Sequence, residues 1–311
     1  MRSPPRLLVL MYHRVLPAAH ADRATEQPGM YVSPETLDMH LTLLQRYFQI
    51  VHLDDWLRNV AAGGAPAPLC CALTFDDGWR DNFDYAFPIL RRHNCPATIF
   101  LVSRMIGTMD EFWPNRLARI LTHLPDGARL PGALGNLLAQ SIERARKSGR
   151  WSLEELDHAI GLAKQLPEEQ ISEALQEAVA GTPGERTRST LDEKEARVMA
   201  ASGLIRFGSH TRTHYRLRGD IPADVLEGEI GGSSLDISTS LGHPVNLFCY
   251  PNGDLTPAAL SVVRRHYAGA VTTKNGWHSA GADPFLIRRV GVHEDISSRP
   301  AAFVARITGL P

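Results

Sequence analysis

The chain is 311 residues long, room for one or two domains, since α/β barrels of about 200–250 residues fold as one unit. Hydrophobic residues make up 43% and charged residues 22%, a balance that supports a real core and excludes a largely disordered chain. Lysine and arginine total 33 against 34 aspartates and glutamates, a net charge of −1, so no global basic field exists to hold a polyanion and no nucleic-acid partner is expected.

In chain order, the apolar run 7–12 reads as a strand. Ser33 as cap, Pro34 at the first helical position and Leu37, Leu41 and Leu44 on one face predict a helix. Residues 50–53 read as a short strand and 69–75 as a buried one, ending in Asp76-Asp77-Gly78. A helix over 82–93 and a strand over 97–102 follow. From about 111 to 202 strand signals nearly vanish and helix starts recur. Ser152 with Glu155, and Thr190 with Glu193, have the spacing of capping boxes. Pro167-Glu168-Glu169 suits a first helical turn, and Thr182-Pro183-Gly184 breaks the run. Beyond it the alternation resumes: strands at 204–207, 245–249, 268–272 and 286–292, helices at 222–241, 256–266 and 300–307. This predicts a parallel sheet or β/α barrel carrying a helical insertion at 111–202, within one domain spanning 1–311.

The four cysteines, Cys70, Cys71, Cys95 and Cys249, form no Cys-x-x-Cys pair and are expected as buried free thiols in a reducing compartment. Residues 7–11 are too short for a signal-peptide core, and no run approaches the ~18 apolar residues of a membrane span. A cytoplasmic location is the expectation, with work at the inner membrane surface left open.

Three clusters carry chemistry. In Leu73-Thr74-Phe75-Asp76-Asp77-Gly78, two carboxylates close an apolar strand, where α/β folds place their active groups. Adjacent like charges call for a cation or a proton; a plain Asp-Asp-Gly turn is the alternative. In Gly208-Ser209-His210-Thr211-Arg212-Thr213-His214, two histidines four apart follow a strand. With Asp77 they match the three protein ligands of a catalytic zinc site; two ordinary surface histidines are the alternative. Phe248-Cys249-Tyr250-Pro251-Asn252-Gly253 closes another strand, as an oxyanion-binding turn or a structural one.

Taken together, these motifs make the chain resemble the polysaccharide deacetylase family (carbohydrate esterase family 4), from Met11 to about Val292. Met11-Tyr12-His13-Arg14-Val15 resembles a subgroup with a Tyr-His pair on its first strand. The resemblance implies a distorted (β/α) barrel, a divalent metal and hydrolytic removal of an acyl group from an amino sugar. Residue by residue, it implies Asp76 as catalytic base and Asp77, His210 and His214 as metal ligands. Asn252 stands where the family has an aromatic whose backbone N–H holds the oxyanion. Cys249 stands where many members have an arginine that orients the base, and Arg289 matches a subgroup arginine able to supply that charge. His13 is the expected general acid, with His293 the alternative and a core or supporting role for His13 the remaining reading. Tyr250 and Trp113 are candidate sugar contacts, packing being the other reading for Trp113. Asp81 and Asn82 read as a helix cap and support for the carboxylates. Zn2+ is the expected metal, with Ni2+, Co2+ or Mn2+ as alternatives.

The expected substrate is an N-acetylated amino sugar in a surface-glycan or lipid-linked saccharide pathway, with peripheral membrane contact through a lipid-linked substrate. Two other readings stand beside it: a deformylase or other amide hydrolase on the same metal site, and a catalytically silent glycan-binding protein.

Overall fold

The computed structural model describes residues 5–179 and 187–309; the expected break at 182–184 lies outside the described residues. The chain divides into two compact units, one of residues 1–17, 31–108 and 188–311, the other of residues 18–30 and 109–187.

In the first unit seven parallel strands close into a barrel: β1 (Arg6–Tyr12), β2 (Leu69–Phe75), β3 (Ala97–Leu101), β4 (Ile205–Ser209), β5 (Leu247–Cys249), β6 (Gly269–Asn275) and β7 (Ile287–Gly291). Each strand pairs with the next in sequence, and β7 returns to β1. β1 and β2 are in register along their length, Tyr12 opposite Phe75, so the residues that follow them, His13 and Asp76, leave the barrel side by side. Gln49–Ile50 adds to β2, and His278–Ser279 adds antiparallel to β1.

Strand periodicity divides the core in two. Leu7, Val9, Cys70, Ala72, Phe100, Cys249, Val271 and Ile287 share the barrel interior, with Leu53 and Trp56 entering from a helix. The alternate residues, among them Leu8, Leu10, Tyr12, Leu73 and Phe75, face outward against Leu37, Leu41 and Leu44 of the helix Pro34–Tyr47. That helix begins as expected, Ser33 Oγ accepting the Thr36 N–H at 3.1 Å. The expected strand over 50–53 is shorter: it ends at Ile50, and Leu53–Ala61 is a helix whose buried Leu53 and Trp56 repeat at helical, not strand, spacing.

The second unit is helical. Trp113–Thr122, Gly132–Ser148, Leu153–Ala163 and Glu168–Val179 enclose their own core of Leu117, Leu134, Leu138, Ile160 and Leu175. The Ser152–Glu155 capping box is present. The Thr190–Glu193 box is not: Asp192 caps Glu193–Ala201, with Glu195 as its partner. Thr190 is committed elsewhere, paired with Trp79 in an isolated bridge and donating its hydroxyl to Met105 O. The helix Glu193–Ala201, expected within the insertion, sends Ala196 and Met199 into the barrel unit's outer core. No helix among the described residues is long and apolar enough to cross a membrane. All four cysteines are free and buried.

His40 ties β1 to the chain beyond β7. Its Nδ1 accepts from Tyr12 Oη at 3.1 Å, and its Nε2 donates to Ser297 O at 2.7 Å. Burial, partly offset by the Ser297 bond, pulls the imidazole from its ordinary 6.5 to about 4. It therefore stays neutral when folded, while the unfolded chain takes up a proton near pH 6.5. Stability present at pH 7 is lost as pH falls from that value through 4, on the order of 2–3 kcal/mol from this group by pH 4.5. Denaturant unfolding at pH 7 and 4.5 should show His40→Gln losing less stability than the wild type. An equal loss in both would contradict the assignment.

Candidate active site

The site forms at the C-terminal ends of the barrel strands. Asp76 follows β2, and its N–H donates to Tyr12 O at 3.0 Å. Its carboxylate is buried against Arg289 of β7, which has no exposed surface. Arg289 Nη1 donates to Oδ1 and Nη2 to Oδ2, each at 2.7 Å. The remaining guanidinium N–H groups reach Thr272 O at 2.9 Å, Thr74 Oγ1 at 3.1 Å and Cys249 Sγ at 3.3 Å. All five donors of the buried cation thus have acceptors. Burial pushes the Asp76 carboxyl up, but the guanidinium outweighs it and holds the group below its ordinary value. Arg289 therefore supplies from β7 the charge that Cys249, on β5, cannot.

Asp77 turns away from β2 in a left-handed conformation, φ 73°, and Gly78 repeats it. A Cβ on Gly78 would lie 2.6 Å from Leu101 Cδ2, so glycine serves both the conformation and the close approach. This turn carries Asp77 Oδ1 to 3.4 Å from His210 Nε2 and 3.6 Å from His214 Nε2. Trp79 Nε1 donates to Asp77 Oδ2 at 3.0 Å. His210 Nδ1 donates to Cys249 O at 2.8 Å, which orients the ring with its Nε2 toward Asp77.

The donor atoms of Asp77, His210 and His214 lie within 4.8 Å of one another. One carboxylate and two imidazoles, with the mouth-side His214 still 23% exposed, suit a zinc-type cation with a position left for water. The electrostatics agree. Burial would raise Asp77, yet the hydrogen bond from His210 and the charge of His214 keep it well below the carboxylate range. Burial pushes His210 down, but Cys249 and Asp77 hold it well above its ordinary value. Burial and the neighbouring His210 lower His214. Arg289 is spent on Asp76, so in the site as it stands a protonated His210 is the cation beside Asp77, a place a divalent ion would take. Asp76, His210 and Cys249 form a second close set, but Arg289 already occupies its open side.

His13 leaves β1 beside this centre, its Nε2 3.9 Å from Asp76 Oδ2 and its side chain 20% exposed. Asn82 Nδ2 donates to His13 O at 2.9 Å. Asp81 makes no cap bond. Instead it accepts from Arg14 Nε at 2.8 Å and from the Val15 N–H at 2.9 Å, while the Arg14 guanidinium lies 4.2 Å over the Trp79 ring. Asp81, Arg14 and Trp79 thus link the chain after His13 to the Asp77 carboxylate. His293 instead precedes the helix Glu294–Ser297, its Nδ1 3.2 Å from Asp295.

Asn252 is exposed and left-handed, φ 55°, in the turn after β5. Tyr250 does not offer a sugar-stacking face: its ring has no exposed surface and packs edge-on against Phe248 at 5.2 Å. Its hydroxyl has no hydrogen-bond partner among the described residues. Trp113 lies in the helical unit, half-buried against that unit's core. A 390 Å³ cavity lies elsewhere, at the N-terminal ends of β4 and β5, lined by Asp54, Arg206, His243 and Leu247 among others.

Comparison with known proteins fits this architecture. YxkH of Bacillus subtilis (strain 168), whose name carries a polysaccharide deacetylase description, is 24% identical over 122 residues, 39% of this chain and 40% of that protein. Among solved structures, the Streptococcus pyogenes deacetylase PplD in complex with acetate is similar with a TM-score of 0.64 at 18% identity, covering 98% of this chain and 99% of that one. IcaB from Ammonifex degensii is similar with a TM-score of 0.62 at 17% identity, covering 98% of each chain. The family model for polysaccharide deacetylases matches residues 63–270. That span is well over half of the chain and holds Asp76, Asp77, His210 and His214, and the chain belongs to the polysaccharide deacetylase family.

Proposed function

We propose that this protein is a divalent-metal-dependent hydrolase that removes the N-acetyl group of an amino sugar, in a surface-glycan or lipid-linked saccharide pathway on the cytoplasmic side. The observation that carries the reading is the buried Asp76–Arg289 pair beside the close set of Asp77, His210 and His214. A base held ionised next to a cation site is what amide hydrolysis by water requires. The acetate in the PplD structure supports acetyl as the group removed.

Asp77, His210 and His214 would hold the metal, which when bound polarises the acyl carbonyl and acidifies water. Asp76 takes a proton from the attacking water, whose oxygen bonds to the carbonyl carbon. Arg289 keeps that carboxylate ionised and fixes its two oxygens. The Asn252 N–H stabilises the developing oxyanion. As the C–N bond breaks, His13 gives the amine its proton, and the products are acetate and the free amino sugar. A nearby base and acid, Asp76 and His13, favour this reading over a silent glycan-binding role.

The test is NMR detection of carboxylates released by zinc-loaded protein. The panel holds N-acyl amino sugars as free oligosaccharides, nucleotide sugars and lipid-linked forms. Acetate released from one form, and abolished by chelation, is the expected result. Formate release would favour the deformylase, and no release with metal bound would favour the binding protein.

A further inference from the structure

The loop that carries both histidines is bent against its own preferences. Thr211 and His214 are left-handed, φ 66° and 63°, a conformation uncommon for any side chain and an outlier for a β-branched one. Ser103 and Arg104 donate their N–H groups to Thr211 O and Arg212 O, and the other side of the loop is held by the helical stretch 223–241, which is α-helical over Ala223–Leu226, opens into a π turn over Glu227–Gly231 and resumes over Gly232–Leu241. Such turns recur at functional sites because the extra residue re-aims the side chains around it.

Here the turn aims Glu229 at the loop. Its Oε2 accepts the N–H groups of Arg212 and Thr213, each at 3.0 Å, and its Oε1 accepts Thr213 Oγ1 at 2.9 Å. Its backbone carbonyl also accepts the Arg212 N–H, at 3.1 Å. Farther along the same face, Ser233 Oγ meets Ser209 Oγ at 2.6 Å. Asp236 accepts Arg212 Nε at 2.8 Å and Nη2 at 2.9 Å. The spacing of 229, 233 and 236 puts all three over the end of β4. A Cβ on Gly232 would fall 2.7 Å from Arg212 Cζ, so glycine lets the arginine lie flat on the helix. Neighbouring Glu227 turns the other way, to Arg265 and His266.

We propose that Glu229 is a positioning residue for the metal centre: it clamps Arg212 and Thr213, two of the three residues between His210 and His214, so that both imidazoles reach Asp77 together. This rests on reading Asp77, His210 and His214 as metal ligands. Glu229 touches neither metal nor substrate, and its contribution is metal affinity.

The experiment titrates Zn2+ into the chelator-stripped full chain, in competition with a chromophoric chelator, and records the melting temperature of the metal-free protein separately. Glu229→Ala should weaken zinc binding about 10–100-fold, the usual effect of losing a group that orients ligands. Glu229→Gln keeps an oxygen for the two N–H groups and should bind close to wild type. Thr213→Val, which deletes only the hydroxyl contact, should show a smaller loss of the same sign. Wild-type affinity in Glu229→Ala overturns the proposal, as does equal weakening in the Ala and Gln variants. If Glu229→Ala fails to fold and Thr213→Val binds zinc normally, the role is structural and the proposal falls. A wild type that binds no zinc overturns both this and the metal reading. A wild type that binds zinc but releases no acetate overturns the function alone, with the affinity comparison still deciding Glu229.

Discussion

Asp76→Asn is expected to keep the metal and lose turnover by about 10²–10⁴-fold, the range for removing a general base. The amide cannot take the proton from water, yet none of Asp77, His210 and His214 is altered. The substitution also leaves the fully buried Arg289 without its counter-charge, so stability will fall as well. Rates must therefore be compared per folded, zinc-loaded molecule, with zinc content and the unfolding midpoint measured on the same sample. A folded, metal-bound Asp76→Asn that turns over like the wild type would remove Asp76 from the base role.

Arg289→Leu is expected to be the most disruptive single change in the site. It strands the Asp76 carboxylate in the barrel with no cation, and breaking a buried pair in this way costs about 3–5 kcal/mol. Burial then pushes the Asp76 carboxyl up against His13 and His210 alone, so the acid limb of the activity profile moves to higher pH. Arg289→Lys restores the charge but not the fork that meets both carboxylate oxygens while also reaching Thr272 O and Cys249 Sγ, and should recover stability better than rate. Denaturant unfolding and pH–rate profiles of the two variants measure this. Wild-type stability and an unshifted profile in Arg289→Leu would show that the carboxylate does not depend on the guanidinium.

Much of the barrel was legible because its signals are local. Leu69–Phe75 is apolar but for Thr74 and is closed by Asp-Asp-Gly, and the Ser33-Pro34 helix start needs only adjacent residues. The sequence misled where tertiary bonds overrode a local pattern. Thr190 has a good capping spacing, but its hydroxyl is drawn to Met105 O, and the cap falls to Asp192. Leu53 looked like the end of an apolar strand because its partner in burial, Trp56, lies at helical spacing inside the barrel.

The candidate site divides the same way. Asp76, Asp77, His210 and His214 sit in two short motifs at strand ends and could be named from them. Of the groups around them, His13 and Arg289 were named through the family resemblance, and Asp81 and Asn82 as support for the carboxylates. Trp79 had a visible signal, an indole two residues after Asp77. Nothing in the sequence shows that Glu229 reaches the histidine loop, since the π turn that aims it has no local signature and the contact spans sixteen residues. Tyr250 failed as a sugar contact because the residue after a short inward strand turned out to belong to the core.

The central claim is that Asp77, His210 and His214 form one metal centre beside the Asp76–Arg289 pair. Its most direct test is a crystal of the zinc-loaded full chain, with diffraction recorded at the zinc absorption edge. The account predicts a single anomalous peak bonded to Asp77, His210 Nε2 and His214, with Arg289 still on Asp76. A peak on the Asp76–Cys249 side of His210, or no peak in protein that contains zinc in solution, would contradict it.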